Sequence, residues 1–115
     1  MTINPNTEWK ALCKKSDLIP HSGVAALHEE QQIALFYVPG YETEVFAISN
    51  SDPFSGSNVL ARGLIGDLKG ELMVASPLYK QHFSLKSGAC MEDAEVSVPV
   101  WPVRLNGEQV EIVVA

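Results

Sequence analysis

The chain has 115 residues, 46% hydrophobic and 19% charged, a composition of folded domains that excludes intrinsic disorder and fits one domain over 1–115. Its net charge of -6 excludes the phosphate-neutralising surface that nucleic-acid binding needs and disfavours anionic membranes. No run approaches the roughly 18 apolar residues of a membrane span, and "MTINPNTEWK" lacks the basic start and apolar stretch of a signal peptide. The expected location is therefore the cytoplasm, with no nucleic-acid or membrane partner.

Short apolar and β-branched runs separated by Gly, Pro, Asn and Asp clusters predict an all-β chain. "EWKALCK" (8–14) reads as the first strand, and "SDLIPHSG" (16–23) as a loop broken by Pro20 and Gly23. "VAALHEEQQIALFYV" predicts a hairpin, with strands over 24–27 and 33–38 and a polar turn at 29–31. His28 reads there as a solvated turn residue. "PGYET" is a turn and "EVFAIS" (44–49) a half-buried strand, whereas 50–70 is dense in turn formers and poor in strand signal. "ELMVAS" (71–76) predicts a buried strand, followed by the turn "PLYKQ" and the strand "HFSLKSG" (82–88). In the tail, Asn106-Gly107 predicts a type I′ turn between alternating strands, and Pro99 and Pro102 require the strand before it to be a sheet edge or to have its pairing broken there. No helix-length pattern occurs. The expected architecture is a β-sandwich or partly open barrel of short antiparallel strands.

Signals for chemistry are sparse. Cys13 and Cys90 lack C-x-x-C spacing and read as free thiols packed like small hydrophobes. His21, His28 and His82 form no metal-ligand grouping, and "MEDAE" (91–95) reads as a solvated acidic turn. There is no phosphate loop, dinucleotide fingerprint or nucleophile elbow. No catalytic, cofactor-binding or metal-binding residue is expected.

The informative feature is a pair of loops in order. The first is Asp52-Pro53-Phe54-Ser55-Gly56, then Leu60 and Gly63; the second is Ser76-Pro77-Leu78-Tyr79, then Phe83, Leu85 and Ser87-Gly88. They resemble the two cluster-binding loops of a Rieske domain, written C-P-H and C-P-x-H with the same small, apolar and Gly residues after them. The fold implied is a Rieske-like domain with two protruding loops. A Rieske centre needs two thiolates and two imidazoles, and the four ligand positions here hold Asp52, Phe54, Ser76 and Tyr79. The resemblance therefore implies a cluster-free domain, with the Phe54 and Tyr79 rings packing where a cluster would sit.

"DPFS", "RG-x-x-GD" (62–67) and "SPLYKQ-x-F" narrow this further. From Trp9 to about Val113 the chain is similar to the small subunits of assimilatory NAD(P)H-dependent nitrite reductases. That resemblance implies a non-catalytic subunit of an enzyme reducing nitrite to ammonium, with FAD, sirohaem and [4Fe-4S] on a large-subunit partner. Loop tips face the redox partner in Rieske proteins, so the implied contact residues are Asp52, Ser55, Tyr79, Lys80, Gln81 and His82. The competing readings are a stand-alone adaptor domain and a Rieske-type ferredoxin.

Overall fold

The computed structural model describes residues 8–114; most of the stretch read for a targeting signal lies outside them. Ten strands follow in order: β1 (Glu8–Lys14), β2 (Ser22–His28), β3 (Gln31–Tyr37), β4 (Val45–Ser49), β5 (Leu64–Leu68), β6 (Glu71–Ala75), β7 (His82–Ser84), β8 (Val100–Trp101), β9 (Val103–Asn106) and β10 (Gln109–Val114). They form three antiparallel sheets, ordered β1-β10-β9, β2-β3-β4-β8 and β5-β6-β7.

The middle sheet is buried on both faces, and β3 shows why. Its run Ile33-Ala34-Leu35-Phe36 is apolar without alternation, the pattern of a strand with core on each side. Ile33 and Leu35 pack with Leu18, Val45, Ala47, Val110 and Ile112, toward the sheet that holds both chain ends. Ala34 and Phe36 join Ile48, Leu60, Val74, Phe83, Leu85 and Val98, toward the sheet that carries the loops. Phe36 is completely buried, which contributes about 2–3 kcal/mol of transfer energy. The loops are thus mounted on a third layer whose own strands are short but whose inner face is anchored in a core.

Four expectations need correction. β5 (Leu64–Leu68) lies in the segment read as poor in strand signal; it is an edge strand with Leu64 exposed, so no burial pattern marks it. The strand predicted over 82–88 ends at Ser84, because the next residues turn back. In the tail, Asn106 pairs with Gln109, so the two-residue loop is Gly107-Glu108. Only its first residue has positive φ (+60°), the pattern of a type II′ turn rather than I′. His28 is buried, 4% exposed, rather than solvated. The Pro reading holds: β8 forms the edge of the middle sheet, between Pro99 and Pro102.

The β2–β3 turn gives a first prediction. His28 pairs with Gln31, and the intervening Glu29 and Glu30 have φ of +49° and +68°. Two consecutive positive φ values define a type I′ turn, which favours Asn-Gly. The double substitution E29N/E30G is expected to raise stability by about 1 kcal/mol in urea unfolding. A lowered midpoint would show that the turn is not relieved by glycine.

Candidate functional site

Both loops are built on the same six-residue turn. In residues 52–57, the Asp52 N–H donates to the Ser57 carbonyl at 2.9 Å and the Gly56 N–H to the Asp52 carbonyl at 2.7 Å. The Phe54 N–H donates to Asp52 Oδ1 at 2.8 Å. In residues 76–81, the Ser76 N–H donates to the Gln81 carbonyl at 2.9 Å and the Lys80 N–H to the Ser76 carbonyl at 3.1 Å. Here the Leu78 N–H reaches Ser76 Oγ at 3.3 Å.

The pattern occurs a third time in residues 84–89. Ser84 N–H donates to the Ala89 carbonyl at 2.9 Å, Gly88 N–H to the Ser84 carbonyl at 2.8 Å, and Lys86 N–H to Ser84 Oγ at 3.2 Å. The fifth residue of each turn has positive φ: Gly56 +76°, Lys80 +66° and Gly88 +79°. A short polar side chain that accepts a backbone N–H two residues on is the Asx or ST turn, which is why Asp or Ser opens each unit. Ser84 was missed by the sequence reading, although the shared spacing (Asp52 to Gly56, Ser84 to Gly88) marks it.

The first and second turns are joined at their opening residues. Ser76 Oγ donates to Asp52 Oδ2 at 2.5 Å, and both residues are fully buried. Asp52 thus has one carboxylate oxygen bonded within its own turn and the other bonded across to the neighbouring turn. A buried carboxylate is tolerated when its oxygens are paired in this way. Asn50 steadies the far side of the first loop. Its Oδ1 accepts the Ala61 N–H at 2.7 Å, and its Nδ2 donates to Gln32 Oε1 at 3.1 Å.

This geometry decides the fit of a [2Fe-2S] centre. The two positions that would carry thiolates hold a carboxylate and a hydroxyl already bonded to each other. Of the two imidazole positions, Phe54 has no donor atom, and the Tyr79 phenol belongs to a 60% exposed side chain. Among the described residues no group of three or more His, Cys, Asp or Glu side chains could hold a metal ion. The residues present do not fit the cluster. The expectation that two rings would fill its place is corrected. Phe54 lies against Phe83, ring centroids 6.2 Å apart, but keeps 38% exposure, and Tyr79 stands in solvent. What joins the two loops is the Asp52–Ser76 hydrogen bond.

The expected contact residues separate into two groups. Asp52 is corrected from surface to interior: with no exposure it cannot meet a partner. Ser55 is half-buried and accepts the Ser57 N–H at 3.2 Å. Tyr79 and Lys80 are exposed at the tip, and Gln81 is half-buried, with an Oε1 that has no hydrogen-bond partner among the described residues. His82 is held by Glu92, a residue in the acidic stretch read as solvated. The His82 N–H donates to Glu92 Oε1 at 2.7 Å, and its Nδ1 lies 2.7 Å from Oε2.

Glu92 carries the pH dependence of this corner. Desolvation pushes its pKa up, but hydrogen bonds from the His82 backbone and ring and the His82 charge outweigh this and hold it below the ordinary glutamate value. A depressed acid stabilises above its unfolded pKa, and that contribution is lost as pH falls through the folded value. Both side chains are more than a third exposed, 37% and 46%, so solvent screening keeps the energy small. The expected readout is local: the His82 amide resonance should shift with an acidic midpoint, and E92Q should abolish the titration. A His82 amide that titrates identically in E92Q would break the assignment.

Neither cysteine stands at a ligand position of the loops, although the Cys90 thiol lies 3.7 Å from Glu92 Oε1. Cys90 is buried, and Cys13 is half-buried with its pKa raised by burial and then by Asp17, which keeps the thiol protonated. A cleft of about 550 Å³, lined by Tyr41, Phe46, Leu72, Lys86 and Trp101 among others, lies away from the loops. It touches the start of β6, whereas the second loop leaves its end.

Comparison with known proteins bears on the assignment. Residues 8–113 match the family of Rieske-like [2Fe-2S] domains. The chain is 48% identical to the nitrite reductase (NADH) small subunit of Escherichia coli K12, over 92% of this chain and 97% of that one. The solution structure of the nitrite reductase [NAD(P)H] small subunit from Erwinia carotovora superimposes with a TM-score of 0.77 at 45% identity, covering 93% and 82% of the two chains. The nitrite reductase [NAD(P)H] large subunit of Klebsiella oxytoca contains a segment 40% identical to 92% of this chain, which is 11% of that protein. The ferredoxin of carbazole 1,9a-dioxygenase from Nocardioides aromaticivorans shares the fold, with a TM-score of 0.74 at 18% identity over 90% and 95% of the chains.

Proposed function

We propose, given that this chain belongs to the Rieske-like domain family and within it groups with the nitrite reductase small subunits, that it serves an NAD(P)H-dependent nitrite reductase as a subunit without redox cofactors. The observation that carries the reading is the Asp52–Ser76 bond. It keeps the two loops in a Rieske arrangement while occupying the positions that thiolates would need. A chain without an electron relay has no means of its own to move electrons to nitrite. FAD, sirohaem and [4Fe-4S] belong to the large subunit in this reading, and the complex works in the cytoplasm, where NAD(P)H is available. The Klebsiella relative supports the partner: there a domain like this one is part of the large-subunit polypeptide itself.

The contact surface in this reading is the tip formed by Ser55, Tyr79, Lys80, Gln81 and His82. Co-expression with the large subunit tests the function. The two chains are expected to co-purify, and nitrite-dependent NAD(P)H oxidation is expected to fall when this chain is omitted. Failure to co-purify, with activity unchanged by omission, would leave a stand-alone adaptor domain as the better description. Iron analysis separates the ferredoxin reading. The purified chain is expected to carry no stoichiometric iron and no visible charge-transfer band, and finding both would overturn the cofactor-free assignment.

A further inference from the structure

Lys80 occupies the fifth position of the second turn, at φ +66°. The same position holds Gly56 in the first turn and Gly88 in the third, each with positive φ. Glycine suits this conformation without steric penalty, whereas a side chain there is strained. The second turn therefore keeps a lysine where its own architecture favours glycine. Nothing inside the chain accounts for it, since Lys80 is exposed and forms no ion pair among the described residues. The position also stands out electrostatically, a cation at the loop tip of a chain with net charge -6.

Exposed apolar side chains share these loops with Lys80. Leu78 is 49% exposed and Tyr79 60% exposed in the same turn; Phe54 stands on the turn joined to it through Asp52 and Ser76. Met91, 53% exposed, donates its N–H to the His82 carbonyl at the other end. Large apolar side chains left in water on neighbouring turns are a feature of interaction surfaces. A strained residue among them points to function.

We propose that Lys80 is a specificity-determining docking residue, whose ammonium pairs with a carboxylate of the large subunit beside an apolar socket that takes Leu78 and Tyr79. This rests on the docking reading above and adds the chemistry of the partner's surface. The large subunit is the occupant because the Klebsiella relative carries this domain and the large subunit in one chain. Opposite charge at the contact sets register and association rate; burial of Leu78 and Tyr79 contributes affinity.

The test compares K80G, K80E and K80R in the full chain, each measured for its own unfolding and for affinity to the intact large subunit at low and high salt. K80G is expected to raise Tm by about 2–5 °C, through relief of the positive-φ strain. It is expected to weaken binding about tenfold at low salt and to flatten the salt dependence. K80E is expected to weaken binding at least about a hundredfold through like-charge repulsion, and K80R to bind within about threefold of the parent. Parent-like affinity in K80G and K80E would overturn the assignment. The pair L78S/Y79S separates the two levels. If it abolishes binding while K80G does not, the tip docks but Lys80 does not choose the partner. If it also binds like the parent, the tip is not the docking surface and both readings fall.

Discussion

Replacing Gly88 with alanine is expected to destabilise the chain by about 3 kcal/mol or more, lowering Tm by roughly 10 °C. Two independent effects add. The φ of +79° strains any side chain, at about 1 kcal/mol. A Cβ would also stand 2.1 Å from the Val98 carbonyl oxygen and 3.0 Å from Val100 Cγ1. The first of these is a backbone atom, and it cannot move aside: Val98 donates its own N–H to the Gly88 carbonyl at 2.9 Å, so the two segments are already tied. Relief requires the third turn to lift from the segment leading into β8, opening the core around Leu85 and Val98. Gly107→Ala is the control. Its φ is +60°, but no atom lies within 4 Å of the added Cβ, so only the conformational cost of about 1 kcal/mol applies. Equal urea midpoints for the two variants would show that close approach is not what Gly88 provides.

The second large effect concerns the bond that joins the loops. Asp52→Ala removes the acceptor for the Phe54 N–H and for the Ser76 hydroxyl, leaving two donors unpaired, one of them on a fully buried residue. Each such loss costs about 1–3 kcal/mol, so a total near 3 kcal/mol is expected. Ser76→Ala deprives a buried carboxylate of one of its partners and is expected to cost about 2 kcal/mol. Asp52→Asn retains an acceptor for Phe54 and an amide beside Ser76, and is expected to be the mildest of the three. Because the partners share one interaction, the double variant D52A/S76A should be less destabilised than the sum of the singles, by about 1–2 kcal/mol. Strict additivity in a denaturant cycle would mean that the pair is not coupled. A useful second reading is the amide spectrum of 76–81: D52A should perturb it although Asp52 lies 24 positions away from Ser76.

These two sites also show how legibility varied along the chain. Gly88 could be recognised as the closing residue of a known loop pattern, but its close approach to Val98 could not, because that contact is ten residues away in the chain and depends on the path into β8. Asp52 and Ser76 were recognised as standing at cluster-ligand positions, but Asp52 was expected at the contact surface. Neither residue type by itself announces burial. Once the turns face each other, they become a buried pair that only tertiary contact can create. Phe54 and Tyr79 failed in the opposite direction. Their size suggested burial, but Phe54 keeps 38% and Tyr79 60% exposure, and the loops are joined by a hydrogen bond instead.

Glu92 and β5 were invisible for related reasons. An acidic run looks solvated until a backbone N–H and an imidazole from a neighbouring strand are brought to one of its members. An edge strand of this kind has little hydrophobic alternation to read, since only Ile65 packs on the core and its pairing with β6 is carried by the main chain. His28 illustrates the same limit: a polar residue next to two glutamates reads as solvent-facing, and only the packing of the layers buries it.

The sequence by itself determined the all-β class, most strand positions, the ordered loop pair and the loss of cluster ligands. Each of these is encoded locally, in residue type, period and spacing. The tertiary structure decided which loop residues face solvent and which face one another, and it revealed one turn used three times with a lysine in a glycine position. Those properties depend on distances between segments far apart in sequence, and composition and periodicity carry no information about such distances.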